Sequence, residues 1–306
     1  MSGASGDIGS EIDRLVERLR PNAKSLIVTL FGDAISPHGG AVWLGSLVDL
    51  VAPFGLNERV VRTSVFRLSK EGWLASTHVG RRSSYGLTDT GRRRFEAADR
   101  VIYAGPRKPW GERWTIVFTG TLDGEARDTL KTELLWQGFG PLQPGVMLHP
   151  DPDEVSLKRT LAAAGLGDGA VVMRGSGEGW MTPAGLQGVA ARAWDLDALA
   201  SVYGQFLADF EPFSAQAAAL SPREAFRLRI LLLHAWRRAV LRDPLLPEEL
   251  LPAPWPGAAA RRLVGDLYRA VEGAAEAHLA EAMVAPDGPF TAPAPSYYDR
   301  FGGLGR

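Results

Sequence analysis

The chain has 306 residues, of which 45% are hydrophobic, and its 34 Lys and Arg against 35 Asp and Glu give a formal net charge of −1. This length and apolar content predict a multidomain protein with roughly two or three compact cores, and the near-neutral charge excludes a generally sticky polycation. Because the chain has no cysteine, disulfides, thiolate metal sites and cysteine nucleophiles are excluded.

The amino terminus has no basic region followed by a continuous apolar core, and no run of about 20 apolar residues could span a bilayer. We therefore expect a cytoplasmic protein. Near this end, Ile8, Ile12, Leu15 and Leu19 recur at helical spacing and predict an amphipathic helix that ends at Pro21. Such a helix either covers its own domain or packs across a dimer.

A recognition helix is predicted after Asn57. One face of this helix is apolar and is formed by Val61, Val65 and Leu68. The opposite face is polar and basic and is formed by Arg59, Arg62, Thr63 and Lys70. Asn57 suits the N-cap, and Gly72 suits the C-terminal stop. Helices predicted at 26–35 and 43–51 complete a winged helix-turn-helix.

Two short strands are predicted after this helix, at 73–79 and 84–87, because both segments have residue types that favour strands. The loop between them, Gly80-Arg81-Arg82-Ser83, has turn chemistry and carries two adjacent guanidinium groups. Arginine suits contacts with phosphates and insertion into a narrow, electronegative minor groove. The hairpin is therefore predicted to be the wing of a DNA-binding domain.

Positive charge is concentrated in this region. Between Asn57 and Arg94 there are nine Lys or Arg against three acids, a net charge of +6, so the remainder of a chain that carries −1 must carry −7. A basic helix face alone is commonly just a solvated surface. A basic helix beside a basic wing in a slightly acidic protein instead indicates a discrete DNA-contacting module. A DNA-binding regulator is the leading hypothesis.

The rest of the chain divides into a mixed region and a helical region. After a Pro/Gly-rich linker at 105–109, strands are predicted at 114–119, 145–149 and 170–174 and helices at 125–137 and 153–164. This alternation suits an α+β sandwich with a ferredoxin-like pattern. From about residue 187 we predict helices at 190–195, 196–210, 222–242 and 258–283. The Pro/Gly-rich tail, 286–306, is expected to be loosely packed, with docking of its aromatic residues as the alternative.

Motifs in all three regions resemble the PaaX family of phenylacetate-degradation repressors. They are residues 24–33 (KSLIVTLFGD), 60–68 (VVRTSVFRL), 71–74 (EGWL), 114–119 (WTIVFT), 234–238 (HAWRR) and 243–247 (DPLLP). The resemblance covers most of the chain in the expected order. It implies that the middle domain is similar in fold to the small Cas2 nucleases and that the C-terminal domain is helical.

Together, the residues and the resemblance predict an α+β protein with a winged-helix domain at 1–105, a ferredoxin-like, Cas2-like domain at 106–186, an all-helical effector or dimerisation domain at 187–285, and the tail. We expect a homodimer that binds double-stranded DNA at an inverted repeat. The resemblance implies an aryl-acyl-CoA, such as phenylacetyl-CoA, as the effector. Its anionic phosphates and apolar acyl group require basic groups beside an apolar pocket.

The predicted DNA contacts are residues of the recognition helix and the wing, namely Asn57, Arg59, Arg62, Thr63, Ser64, Phe66, Arg67, Lys70, Arg81, Arg82 and Ser83. Phe66 is a candidate for a thymine methyl or for packing against a neighbouring helix. The effector candidates are basic or aromatic, namely Arg223, Arg227, His234, Arg237, Arg238, Trp194 and Tyr203. Each also has an ordinary alternative, a surface ion pair for the arginines and a structural or core position for the others.

No catalytic or metal-binding motif is recognised. The sequence has no Gly-x-x-x-x-Gly-Lys-Ser/Thr loop and no His-Glu-x-x-His motif, and its five histidines are scattered singly. We therefore predict no enzymatic activity, no metal and no cofactor. The open alternatives are a metal-dependent nuclease that acts through the Cas2-like domain, a regulator of another pathway with a different effector, and a ligand-controlled scaffold.

Overall fold

A computed structural model of the chain describes residues 3–105, 110–120, 122–163, 170–176, 182–286 and 288–305. The chain divides into two compact units. The first contains Met1–Pro106, Gln205–Arg238 and Ala259–Arg306, and the second contains Arg107–Gly204 and Ala239–Ala258. Residues 106–109 of the predicted linker, and the end of the helix predicted at 153–164, lie outside the described residues.

The described α-helices are, in chain order, α1 (Gly3–Leu19), α2 (Ala23–Leu30), α3 (Leu44–Val51), α4 (Glu58–Lys70), α5 (Asp89–Ile102), α6 (Gly124–Trp136), α7 (Glu154–Ala163), α8 (Pro183–Ala193), α9 (Leu196–Phe210), α10 (Pro222–Val240) and α11 (Pro256–Ala282). The described strands are β1 (Ala41–Trp43), β2 (Leu74–Val79), β3 (Arg82–Leu87), β4 (Arg113–Phe118), β5 (Gly140–Gln143), β6 (Val146–His149), β7 (Val171–Ser176), β8 (Val284–Ala285) and β9 (Gly288–Pro289). A π-helical turn, Phe31–Ile35, continues α2. None of these helices combines the length and the apolar character needed to cross a membrane.

The amino-terminal part of the first unit is a winged helix-turn-helix, as predicted. β3 lies between β1 and β2 in an antiparallel sheet, and β2 and β3 form the hairpin. Helices α2 and α4 pack against each other. Their first turns are capped by asparagines, since Asn22 accepts a hydrogen bond from the Ser25 N–H at 3.2 Å and Asn57 accepts one from the Val60 N–H at 3.0 Å.

Helix α4 has the two faces that its sequence predicts. Its apolar face is buried and is formed by Val61, Val65 and Leu68. Its polar face is exposed and is formed by Arg59, Arg62, Thr63 and Lys70. Full burial of a large aliphatic side chain stabilises a fold by about 1.5–3 kcal/mol. The apolar face therefore fixes the rotation of α4 about its axis and directs the basic face toward solvent.

The second unit contains a four-stranded antiparallel sheet with the strand order β5-β6-β4-β7. Helix α6 follows β4, a tight hairpin joins β5 to β6, and α7 lies between β6 and β7 in the chain. This is the βαββαβ arrangement of a ferredoxin-like fold, which confirms the fold predicted for the middle region. The sequence prediction missed β5, a strand of four residues that includes Pro141.

Alternate residues of β4 enter two separate cores. Val117 packs with Leu130 and Leu134 of α6. Trp114 packs in a different cluster, which includes Leu186 and other residues of α8. Since successive side chains of a strand point to opposite faces, the sheet is covered on both sides.

The carboxy-terminal region is helical, as predicted, and the tail is packed more closely than expected. The sequence predicts a helical domain at 187–285, whereas most of α10 and α11 belongs to the first unit together with the winged helix. The expectation of a loosely packed tail is wrong, because Tyr297, Arg300 and Phe301 are buried. The Phe301 N–H donates to the Tyr103 carbonyl at 2.9 Å. Docking of the tail's aromatic residues, the alternative, is thus confirmed for Tyr297 and Phe301.

Candidate nucleic-acid interface

The polar face of α4 carries most of the predicted contacts at its surface. Arg59, Arg62, Thr63, Arg67 and Lys70 are exposed. Phe66 is 60% exposed, and the Lys70 ammonium lies 5.6 Å from the centre of its ring. Phe66 therefore faces solvent instead of packing against a neighbouring helix, which leaves its ring free to meet an apolar group of a ligand.

Glu58 holds the Arg62 side chain against the helix. Arg62 Nη2 and Nε donate to Glu58 Oε1 at 2.6 Å and 2.8 Å, and both side chains are more than half exposed. Exposed pairs of this spacing contribute only about 0.3–0.5 kcal/mol. A phosphate or a guanine edge can therefore replace Glu58 at small cost.

Two of the predicted contacts already have a role inside the domain. The Asn57 side-chain oxygen caps α4, which leaves its amide nitrogen at the surface. Ser64 was predicted to contact DNA, but its side chain is buried and its hydroxyl donates to the Val60 carbonyl at 2.8 Å. A hydroxyl that bonds back to the preceding turn is a common helical arrangement. The Ser64 hydroxyl proton is therefore not available to DNA, although Ser64 contributes to the lining of the groove beside α4.

The wing has a tighter turn than predicted. Val79 pairs with Arg82, so the connection is the two-residue turn Gly80–Arg81, and Arg82 and Ser83 belong to β3. Gly80 has a φ of +61°, which glycine adopts without strain. The Arg81 side chain is exposed at the tip. The Arg82 guanidinium lies 6.0 Å from the centre of the Trp43 ring. The two arginines therefore lie at the tip of a hairpin with a two-residue turn.

A groove that the sequence did not predict runs beside the polar face of α4. It has a volume of about 320 Å³ and is lined by Asn22, Ala23, Lys24, Arg59, Val60, Thr63, Ser64 and Arg67. Its lining includes Ala23 and Lys24 of the first turn of α2, the end of the helix where the dipole favours an anion. Lys24 pairs with Glu71 at 2.5 Å beside it. The groove therefore extends the basic surface from α4 to α2 and suits a backbone phosphate.

Three of the effector candidates on α10 are engaged in contacts with the winged helix and α1. Arg227 forms an ion pair with Asp13 at 2.5 Å. Arg237 donates to the Ser25 hydroxyl at 2.9 Å. His234 is buried, and burial, with the charges of Arg237 and Arg238, lowers its pKa to about 4. An uncharged, enclosed imidazole is a poor partner for a CoA phosphate near neutral pH.

The remaining effector candidates are spread over both units. Trp194 and Tyr203 belong to the second unit, where the Trp194 indole N–H donates to the Gly138 carbonyl at 3.0 Å and Tyr203 is buried. Arg223 and Arg238 belong to the first unit and are exposed. Five of the seven candidates therefore belong to the first unit and two to the second. In the described part of the chain, no group of three or more potential ligands is arranged to hold a metal ion.

Comparison with known proteins assigns the chain to a family. Three family models match in succession: PaaX-like protein at residues 22–91, PaaX protein central Cas2-like domain at 107–186, and PaaX-like protein C-terminal domain at 194–281. The chain is also 38% identical, over 297 residues, to a protein from Escherichia coli (strain K12) named Transcriptional repressor PaaX. That alignment covers 96% of this chain and 94% of the relative. This chain belongs to the PaaX family.

A solved structure supports the fold of this PaaX family member. The uncharacterized protein Rv0674 from Mycobacterium tuberculosis is 25% identical, and its structure matches with a TM-score of 0.56. The match covers 84% of this chain and 98% of that protein. The three matched segments follow one another along the chain as the amino-terminal, central and carboxy-terminal parts of the family.

A buried charge cluster, which sequence reasoning missed, connects the winged helix of this PaaX family member to α10, α11 and the tail. At its centre Asp33 accepts hydrogen bonds from Arg229 Nε at 2.7 Å and from Arg300 Nη1 at 2.9 Å. The hydroxyls of Tyr103 and Tyr268 also donate to Asp33 Oδ1, each at 2.9 Å. The available signal was an acidic residue at the end of the apolar run 26–31. A buried carboxylate at such a position needs several donors.

Glu276 extends the charge cluster from α11. It accepts a hydrogen bond from Arg229 Nη1 at 2.6 Å, and its other oxygen lies 3.0 Å from His38 Nε2. Burial alone would raise the pKa of Glu276, but the hydrogen bond from His38 and the charge of Arg229 lower it to about 2. The Tyr297 hydroxyl donates to the same carboxylate at 3.1 Å. The negative charges of the two carboxylates thus balance the positive charges of the two guanidiniums within the cluster.

Proposed function

We propose that this protein is a cytoplasmic, DNA-binding transcriptional repressor of aromatic catabolic genes of the phenylacetate type. The observation that carries the proposal is the exposed basic face of α4 beside the arginine-tipped wing, in a chain that is acidic elsewhere. The 38% identity to Transcriptional repressor PaaX from Escherichia coli supports it. As a homodimer, the protein would place two copies of α4 in major grooves about one helical turn apart on an inverted repeat.

Each exposed group has a proposed partner in this complex. Arg59, Arg62 and Thr63 reach base edges or the adjacent phosphates, as basic and hydroxyl groups of recognition helices do. Arg81 and Arg82 enter the minor groove or bind its phosphates. The other proposed contacts lie around these and are Asn57, Phe66, Arg67, Lys70 and Ser83. The groove at the start of α2 takes a further phosphate of the same strand.

We propose an aryl-acyl-CoA, such as phenylacetyl-CoA, as the effector that releases the repressor. This part rests on the family resemblance and on the chemistry of the ligand, whose phosphates require exposed basic groups. Arg223 and Arg238 remain suitable, because both are exposed. Linkage requires that DNA weaken effector binding by the same factor by which the effector weakens DNA binding.

A titration of the purified protein onto its own upstream promoter tests the proposal. The promoter is compared with a scrambled duplex at fixed salt, with and without phenylacetyl-CoA. Specific binding that the thioester abolishes is expected. Specific binding that is indifferent to the thioester would overturn the effector assignment alone, and equal binding to both duplexes would overturn the repressor assignment.

A matched pair of variants tests the role of individual arginines. Arg62→Ala should reduce the preference for operator over scrambled DNA by about 1–3 kcal/mol, the typical value of a bidentate base contact. Arg93→Ala, an exposed residue of α5, should weaken both complexes alike. Arg94 is a poorer control because its guanidinium lies 4.9 Å from the Trp73 ring. An unchanged preference in Arg62→Ala would contradict a base contact.

A further inference from the structure

The middle of the exposed face of α4 is less polar than the charges around it. Phe66 is 60% exposed, and the Lys70 ammonium lies 5.6 Å from the centre of its ring. The Thr63 hydroxyl, one turn earlier, donates to the Arg59 carbonyl at 2.9 Å, so this side chain offers a ligand its methyl group and an acceptor oxygen. Val60 is 38% exposed. An apolar strip of Val60, Thr63 and Phe66 therefore runs for about 9 Å along a face that is otherwise basic.

The fold itself makes little use of Phe66. The buried side chains that fix the rotation of α4 lie on the opposite face and are those of Val61, Val65 and Leu68. An aromatic ring stabilises a structure roughly in proportion to the apolar area that it removes from water, and more than half of Phe66 stays in water. Its apolar surface is therefore available to a ligand.

The charges around Phe66 restrict the kind of ligand. Arg59, Arg62 and Lys70 are all exposed on the same face. A purely apolar protein surface would remove water from these cations and give them no partner in exchange. Duplex DNA supplies both kinds of group, since its phosphates pair with cations and its major groove presents the C5-methyl group of thymine. The chemistry of this face thus favours thymine in a major groove over a protein partner.

We propose that Phe66 packs against the C5-methyl group of a thymine in the operator and that this contact selects thymine over cytosine, which has no methyl group there. The inference rests on the proposed function, in which α4 enters the major groove. Arg62 and Phe66 are four residues apart, about 6 Å along the helix, and successive base pairs are about 3.4 Å apart. With α4 lying along the groove, this thymine is within about two base pairs of the base that Arg62 reads.

Replacing thymine with deoxyuridine tests the contact, because the change removes the methyl group and keeps the groups that pair with adenine. The probe is the upstream promoter duplex, with the thymines of a half-site replaced one at a time. Loss of one CH₂-sized contact, about 0.8 kcal/mol, corresponds to about a fourfold increase in Kd at the contacted position, or about 15-fold when both half-sites are changed. 5-Bromodeoxyuridine, whose bromine is close in size to a methyl group, should restore the affinity.

The variant Phe66→Ala shows whether Phe66 is the residue that makes this contact. It should bind the thymine duplex at least about fourfold more weakly than wild type and should bind the thymine and uracil duplexes equally. Because Phe66 is exposed, the thermal denaturation curve of this variant should match that of wild type. Arg93→Ala, on the exposed surface of α5, is the control. It should weaken binding to both duplexes by one factor and keep the wild-type response to uracil.

Two results would overturn the inference. In the first, uracil weakens wild-type binding at no position of the half-site. In the second, Phe66→Ala keeps the wild-type response to uracil at every position. In both cases a preference of the wild-type protein for the promoter over the scrambled duplex would leave the repressor assignment intact. Equal binding to those two duplexes would overturn the repressor assignment and, with it, the proposed contact.

Discussion

Replacing Arg229 with methionine tests whether the buried charge cluster holds the first unit together. The Arg229 side chain is fully buried, and it donates to Asp33 at 2.7 Å and to Glu276 at 2.6 Å. Burial alone would lower the pKa of Arg229, but the negative charge of Asp33 above all raises it well above its ordinary value. Methionine keeps much of the apolar stem and removes the charge. Two carboxylates then lose a partner at once.

The expected loss of stability follows from the burial of these carboxylates. Removing one partner of a buried ion pair typically costs about 3–5 kcal/mol. Asp33 is 1% exposed and cannot regain water without opening the unit, whereas Glu276 is 18% exposed and can be partly hydrated. We therefore expect a loss of about 4 kcal/mol rather than twice that value. For a unit of 150–250 residues this corresponds to a decrease in Tm of roughly 8–16 °C.

Urea denaturation followed by far-UV circular dichroism, with calorimetry for Tm, measures this loss. Arg238→Met is the control, since Arg238 lies on the same helix and is exposed. A surface change of this type is normally within about 0.5 kcal/mol of wild type. If Arg229→Met lay within about 1 kcal/mol of this control, the cluster would not be what stabilises the unit. The double variant with Asp33→Asn should lose less than the sum of the two single losses, because the residues are in contact.

Four further predictions follow from individual residues. His234→Leu should make the stability of the protein less sensitive to acid. The pKa of His234 is about 4 in the folded protein against 6.5 ordinarily, so the wild-type protein loses stability as pH falls from 6.5 to 4. Urea titrations at several pH values measure this difference. Glu276→Gln should lower the free energy of unfolding at pH 7 but not near pH 2. The Glu276 carboxyl has a pKa of about 2 in the fold, so its contribution to stability disappears as pH falls from 4.5 toward 2. Equal losses at both pH values would contradict this. Tyr203→Phe should cost about 1–2 kcal/mol in denaturant titrations, because it removes the hydroxyl that donates to Asp243. Trp136→Ala should change the free energy of unfolding by no more than about 0.5 kcal/mol, since the indole is 83% exposed.

The recognition helix and the wing could be predicted because their signals are local. Val61, Val65 and Leu68 recur at helical spacing, and the cap and the stop residue lie within the same short segment. The hairpin needs only residue types and a turn. The prediction of the wing was wrong only in the length of its turn. That length is set by the pairing of Val79 with Arg82, and strand pairing depends on a partner strand as well as on local residue types.

The charge cluster could not be predicted because its members are distant in the sequence. Asp33 and Arg300 are 267 residues apart, and nothing in either neighbourhood indicates the other. The same limit explains why the contacts of the effector candidates could not be predicted. A row of arginines on α10 has the same spacing whether it faces solvent or another helix, and Arg227 and Arg237 contact α1 and α2. Charged residues at helical spacing predict the composition of one helix face. Only the fold shows which residues pack against that face.

The charge cluster also constrains when the winged helix can finish folding during synthesis of the protein. The ribosome adds Asp33 early, whereas Arg229 and Arg300 follow 196 and 267 residues later. Until both are present, the Asp33 carboxylate has to stay hydrated, because an unpaired charge is costly to bury. The winged helix therefore reaches its final packing only after residue 300 has been synthesised. A nascent or prematurely terminated chain carries the recognition helix without its anchorage, so the cell's proteases have an exposed, unfinished surface by which to remove it.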